Sequence, residues 1–293
     1  AEIRRNEMLE GSADMVRIWD ETLRLLADHN CLDNILYVEV LNEYPFGHCN
    51  TWFDNTIHSM LRPYTPGEYN HRQKKFVEEF MAETLTGLHK LWPEMCFGTS
   101  FIYKTFEKFD LERVLPYCDF FDMHLWLEEC FCKNTGYYDH IPKHGRIEHL
   151  YEIKTVGAPD GYLRRNILFP YDAYYEEMYQ KMLDNWHASK AHCQDVLQER
   201  MEWVENLAGK YGIPAGCTEG WGSVLWVEHP MLGWEIHKEA GMMAARAGYD
   251  HGYQFNCSSN FCHPQYLGMW RDLDFHRQVT NTIKGIKTSD EIH

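Results

Sequence analysis

Basic residues are scarce in this chain. It carries 28 Lys and Arg against 44 Asp and Glu, a formal net charge of −16. A field of that sign repels phosphate backbones and anionic lipid surfaces, so nucleic acid and membranes are poor partners, whereas a neutral sugar is compatible with it. Apolar runs are short, and none approaches the roughly 18 residues that a bilayer-spanning helix needs. No Gly-x-Gly-x-x-Gly follows a predicted strand, which counts against dinucleotide binding. No Gly-x-Ser-x-Gly elbow is present, which counts against a serine hydrolase. Internal repeats and low-complexity segments are also absent. Ten Cys are present, but their positions, from Cys31 to Cys262, outline no compact disulfide framework, and several fall in predicted strands. They read as reduced thiols of an intracellular protein. No secretory signal is visible from Ala1 onward, and a cytoplasmic location is expected.

What the chain has in quantity is aromatic residues, 15% of the total, with ten Trp and eighteen Tyr. Two readings carry equal weight: a large core, or a cleft whose ring faces stack on pyranose rings. With 293 residues, one large domain over 1–293 is expected.

Periodicity gives the order of elements. Residues 13–29 read as an amphipathic helix, with Met15, Ile18, Trp19, Leu23, Leu25 and Leu26 as apolar positions. Asn34 to Asn42 is a β-branched, apolar strand. A helix over about 67–91 opens at Thr65-Pro66-Gly67-Glu68, with proline in its first turn. Strands near Met95–Phe101 and Phe120–Trp126 flank a short helix near 107–115. Residues 128–168 show no period and read as a long loop insertion. A helix then covers about 171–211, ending at Gly212. Its Trp and Tyr residues recur at helical spacing, which points to core. Strand Ile213–Thr218, helix 229–247, strand Tyr249–Cys257 and helix 272–286 complete the chain. Repeated strand–helix alternation means parallel strands with helical crossovers, in a barrel or a doubly wound sheet.

Polar residues gather at the C-terminal ends of these strands: Asn42-Glu43, then His124 and Trp126, then Thr218-Glu219-Gly220-Trp221, then Gln254-Phe255-Asn256. In barrel enzymes that end carries the active site. Two carboxylates on different strands meet the need of glycosidic cleavage, one to give a proton and one to attack the anomeric carbon.

Asn-Glu closing one strand, His-x-aromatic closing a later one, and Glu before a Gly-Trp turn on the next resembles glycoside hydrolase clan A. Within the clan the chain looks most like the cellulase-like and family-five-like members. The resemblance implies a TIM (β/α)₈ barrel, with Asn42-Glu43 closing strand four and Glu219 closing strand seven. The sequence would then cover strands four to eight, with an N-terminal part missing. It implies a retaining hydrolase of β-glycosides, with Glu43 as acid/base, Glu219 as nucleophile, and Asn42 on the sugar 2-hydroxyl. His124 would neighbour the catalytic pair, and Trp126, Trp221 and Asn256 would be substrate contacts. No metal or other cofactor is implied. The partner is an oligosaccharide or β-glycoside; oligomeric state, sugar identity and endo or exo action are left open. The alternative is a carbohydrate-binding protein that kept the cleft without turnover.

Other clusters are weaker. His140, His144 and His149, near Asp139 and Glu148, match no standard zinc spacing and read as a solvated loop, although a metal-dependent barrel hydrolase using them is a third hypothesis. Cys130-x-Cys132 is a possible ligand pair. Trp52 and Phe53 read equally as a platform or a packed loop, and His263-Pro264 as a substrate contact or a turn.

Overall fold

The computed structural model describes residues 11–45, 70–135, 173–221, 234–257 and 271–285. The expectations for Trp52 and Phe53, for His140, His144 and His149, for His263-Pro264, and for most of the 128–168 insertion fall outside these residues. The chain is mixed α/β with parallel strands. It divides into two compact units, Ala1–His124 with Val204–Cys217, and Leu125–Trp203 with Thr218–His293. Among the described residues no helix is long and apolar enough to cross a membrane.

In the first unit, α1 (Ser12–Asp28) packs on α2 (His71–Leu91). Met15 and Leu23 of α1 and Val77, Met81, Leu85 and Leu88 of α2 are buried, as the 3.6-residue period predicts. The helices meet closely at Gly87, where an added Cβ would lie 2.7 Å from a methyl of Val16. Helix α2 starts later than its Pro66 suggests. Asn70 accepts from the Gln73 backbone N–H while the Gln73 side chain accepts from Asn70 N–H, a reciprocal cap that sets the start.

Strand β1 (Val38–Glu39) pairs in parallel with β2 (Phe97–Gly98), Val38 opposite Phe97. Strand β3 (Ser100–Ile102) pairs in parallel with β4 (Phe121–Trp126), Ser100 opposite Asp122 and Ile102 opposite His124. Strand β5 (Ala215–Cys217) pairs with the start of β4, Phe121 opposite Ala215. The strand expected over Met95–Phe101 is therefore two, broken at Thr99. The strand expected from Asn34 is shorter, because Leu32–Asn34 forms a 3-10 turn and pairing begins only at Val38. The helix expected near 107–115 divides into α3 (Tyr103–Phe109) and a 3-10 segment Leu111–Tyr117, parted by Asp110 in the left-handed region. Phe101, Phe106 and Phe121 pack edge to face and tilted, with ring centroids 5.2–5.8 Å apart, and fix one face of the sheet in a dry core.

In the second unit, β6 (Gly220–Trp221) pairs in parallel with the end of β4, Leu125 opposite Gly220 and Trp126 opposite Trp221. A short helix α4 (Glu128–Phe131) occupies the start of the expected insertion. Helix α5 (Ala173–Tyr211) buries Met178, Tyr179, Met182, Trp186, Cys193 and Leu197 of this unit, so Tyr179 and Trp186 of the Trp/Tyr-rich stretch are core as expected. Trp186 lies edge-on to Phe131 at 5.5 Å and donates its indole N–H to Glu239 at 2.8 Å. Helix α6 (Glu235–Asp250) takes Tyr249 and Asp250 from the expected strand, leaving β7 as Phe255–Asn256. Helix α7 (Leu273–Ile283) opens on Asp272, whose carboxylate accepts from the Phe275 N–H and pairs with Lys238 at 2.5 Å.

Candidate active site

The site of the first unit is built on the polar side of its strands. Side chains alternate along a strand, so Asp122 and His124 share one face of β4 while Phe121 and Met123 point to the aromatic core. Both Asp122 and His124 are buried. Across the register, Ser100 stands beside Asp122.

Glu43 is set by a local break in regularity. The Val38 N–H donates to Cys96 O and the Val40 N–H to Gly98 O, each at 2.8 Å; the next ladder bond runs from the Tyr44 N–H to Ser100 O at 2.9 Å. One strand advances from 98 to 100 while the other advances from 40 to 44. The extra residues form a bulge, and Glu43 within it takes φ 51. A left-handed conformation costs a non-glycine residue roughly 1–2 kcal/mol. Ser100 holds it in place: its Oγ accepts from the Glu43 backbone N–H at 2.7 Å, while its carbonyl accepts from the next amide. Tyr44, wholly buried, is fixed further by its hydroxyl, which donates to Val77 O at 2.7 Å.

This conformation aims the Glu43 carboxyl at His124. Oε1 lies 3.0 Å from His124 Nδ1, and Glu43 is 7% exposed. The other ring nitrogen, Nε2, is 4.0 Å from Asp122 Oδ1, beyond hydrogen-bond reach. Asn42 is half-buried, with Oδ1 3.4 Å from Ser100 Oγ. The Ser100 hydroxyl also donates to Glu39 Oε1. Ligand atoms of Glu39, Asp122 and His124 all lie within 4.8 Å of one another, a mixed carboxylate and imidazole set of the kind a divalent cation accepts.

Thus Glu43, Asn42 and His124, expected together from strand ends, are together in the first unit. Glu39, Ser100 and Asp122 were not expected there. The signal for them lies in strand periodicity: Glu39 stands four residues before Glu43, Asp122 two before His124, and Ser100 in the neighbouring strand.

Glu219, Trp126, Trp221 and Asn256 belong to the second unit. Glu219 is half-buried and immediately precedes β6. Trp126 and Trp221 are register partners. Trp126 is half-buried, and its carbonyl accepts from Arg200 at 3.0 Å. Trp221 is fully buried, with φ 81, and donates its indole N–H to Cys257 O at 3.0 Å. A bulky side chain in the left-handed region is an outlier of the kind that marks functional sites. Asn256 turns its amide toward α6, donating to Ala244 O at 3.4 Å and crowding Gly248. Near the expected Cys130-x-Cys132 pair, Cys130 hydrogen-bonds the Cys193 thiol and lowers its pKa to about 7.

A family model described as sugar-binding cellulase-like matches residues 2–284 of the chain. Among solved structures, the chain is similar to the crystal structure of a candidate glycoside hydrolase from Parabacteroides distasonis, with a TM-score of 0.65 and 22% sequence identity. That match covers 94% of this chain and 64% of the other, so the chain spans just under two thirds of that protein's length. At this identity the likeness concerns the fold. No curated protein matches the chain.

Proposed function

The chain belongs to the sugar-binding cellulase-like family, and from that membership we propose that it hydrolyses a β-glycosidic bond with net retention. Its residues supply strands four to eight of a (β/α)₈ barrel, acting as one catalytic domain. Glu43 is the acid/base and Glu219 the nucleophile. Asn42 binds the sugar 2-hydroxyl, Trp126 offers a ring face to the sugar with Trp221 backing it, and Asn256 borders the same end.

The observation that carries the reading is the buried Glu43–His124 pair at the C-terminal ends of parallel strands. In its Nδ1–H tautomer, His124 donates to Oε1 of Glu43. Oε2 is then left to carry the proton that the leaving oxygen takes. In the first step the Glu219 carboxylate attacks the anomeric carbon as Glu43 gives up that proton. In the second, Glu43 takes a proton from water, and the hydroxide displaces Glu219. The mechanism requires the two carboxyls about 5–5.5 Å apart.

The test is hydrolysis of a panel of aryl β-glycosides by the intact chain, Glu43→Ala and Glu219→Ala. Each substitution is expected to lower turnover by about 10²-fold or more. Azide is expected to rescue Glu219→Ala as an α-glycosyl azide. The second reading, a sugar-binding protein without turnover, takes its support from the family's own description. It replaces the first if the intact chain binds oligosaccharides by calorimetry yet cleaves none of the panel.

A further inference from the structure

We propose that Glu39 is a positioning residue for Glu43, acting through the hydroxyl of Ser100; this rests on the reading of Glu43 as the acid/base. The argument begins with what one hydroxyl can do. It has a single proton and two lone pairs. Ser100 Oγ accepts the backbone N–H of Glu43 at 2.7 Å, and it does so cleanly only if its own proton points elsewhere. Two acceptors compete for that proton. Asn42 Oδ1 is 3.4 Å away, a long contact from a neutral amide. Glu39 Oε1 makes the shorter contact. Glu39 therefore sets the direction of the hydroxyl in a residue with no solvent exposure.

The amide so held belongs to the residue whose left-handed backbone aims the carboxyl at His124. Ser100 fixes residue 43 on both sides, its Oγ taking the amide of Glu43 and its carbonyl the amide of Tyr44. The carbonyl contact survives loss of Glu39. The Oγ contact depends on where the hydroxyl proton goes. An amide at position 39 can turn its NH₂ toward Ser100, which leaves the hydroxyl proton only the long contact to Asn42 Oδ1 and weakens its hold away from the Glu43 N–H. Glu39 touches neither substrate nor reacting atoms in this scheme.

The test uses two aryl glycosides of whichever sugar the intact chain cleaves. Phenoxide needs a proton to depart, and 2,4-dinitrophenoxide does not. The ratio kcat/KM reports the steps up to departure of the aglycone. In Glu39→Gln a displaced acid/base is expected to lower kcat/KM on the phenyl glycoside about tenfold, and on the dinitrophenyl glycoside less than about twofold. Equal losses on both would mean a structural role and overturn the proposal. Glu43→Ala is the control. If it discriminates between the leaving groups and Glu39→Gln does not, Glu39 does not position it. If Glu43→Ala itself fails to discriminate, or the intact chain cleaves neither glycoside, the acid/base reading fails and this assignment of role fails with it. The geometry is tested separately by crystal structures of Glu39→Gln and Glu39→Leu. Residue 43 is expected to leave its left-handed conformation or to lose its contact with His124; unchanged backbone and contact in both variants would overturn the positioning claim whatever the activity.

Discussion

His124 Nδ1 stands 3.0 Å from Oε1 of Glu43, with both side chains almost wholly withdrawn from water. A buried carboxyl has few ways to choose a rotamer except through such partners, so the imidazole fixes the orientation of the Glu43 carboxyl. Replacing it with Phe keeps an aromatic ring of similar shape and removes both nitrogens. His124→Phe is expected to lower kcat/KM on aryl β-glycosides by about 10²-fold, the scale of a misplaced catalytic group. It is also expected to cost roughly 1–3 kcal/mol of stability, because a buried acceptor loses its donor. Urea denaturation beside the kinetics checks both; a variant of unchanged activity would remove His124 from the mechanism.

Gly220 makes a second prediction, on the other side of the sequence pattern that drew attention to Glu219. A Cβ at this position would lie 2.7 Å from the Leu125 carbonyl oxygen and 3.1 Å from its nitrogen. Both are backbone atoms of the paired strand, so no side chain can swing aside to make room. Gly220→Ala is therefore expected to push β6 from β4 and to cost about 1–3 kcal/mol, with a matching fall in thermal denaturation temperature. A denaturation temperature equal to that of the parent would show that the pair separates freely.

These two sites differ in how far they could be read from sequence. The strand at 120–126 and the helix period at 171–211 are legible because burial imposes apolar content on the one and a repeat on the other. Asn42-Glu43 and His124 were legible as polar residues at apolar strand ends. The φ of Glu43 was not, because a bulge depends on how far the neighbouring strand advances, and that register is not written in either strand alone. The same limit hid Ser100 and Glu39, whose roles exist only once two strands are set side by side. The break at Thr99 is not legible because the strand changes its pairing partner there, from β1 to β4, without a change in apolar pattern. The start of α2 is set by the reciprocal cap of Asn70 and Gln73, a signal that competes in the sequence with Pro66 four residues earlier.

The thiol of Cys193 gives a third prediction. It is buried, yet the hydrogen bond from Cys130 holds its pKa down to about 7, with a smaller contribution from Ser189 at 3.7 Å. Cys130→Ala removes the larger cause and leaves desolvation, which acts the other way. The thiolate absorbance lost on going from the parent to Cys193→Ala locates this titration among the other thiols. In a Cys130→Ala background the same difference is expected to appear only at clearly higher pH. If it stays near neutrality, Cys130 is not the stabilising partner.

His237 ties stability to pH. It is 2% exposed, it packs edge-on to Trp234 at 5.2 Å, and among the described residues neither ring nitrogen has a hydrogen-bond partner. Burial pushes its pKa down from the usual 6.5 to about 4, so the folded protein holds the ring neutral. The unfolded chain takes up a proton below about pH 6.5 and the folded chain does not until about pH 4. Stability present above the upper value is therefore lost as pH falls through this window, by roughly 3 kcal/mol if the whole shift is realised. His237→Leu removes the titrating group at similar volume. Carboxylates held low by cations, such as Glu112 beside Lys210 and Asp272 beside Lys238, lose stability at lower pH and do so in parent and variant alike. The difference in urea midpoint between the two proteins is thus expected to move in favour of His237→Leu between pH 7 and pH 4.5. Parallel midpoints across that range would mean that the ring is protonated in the folded state, satisfied by a partner outside the described residues.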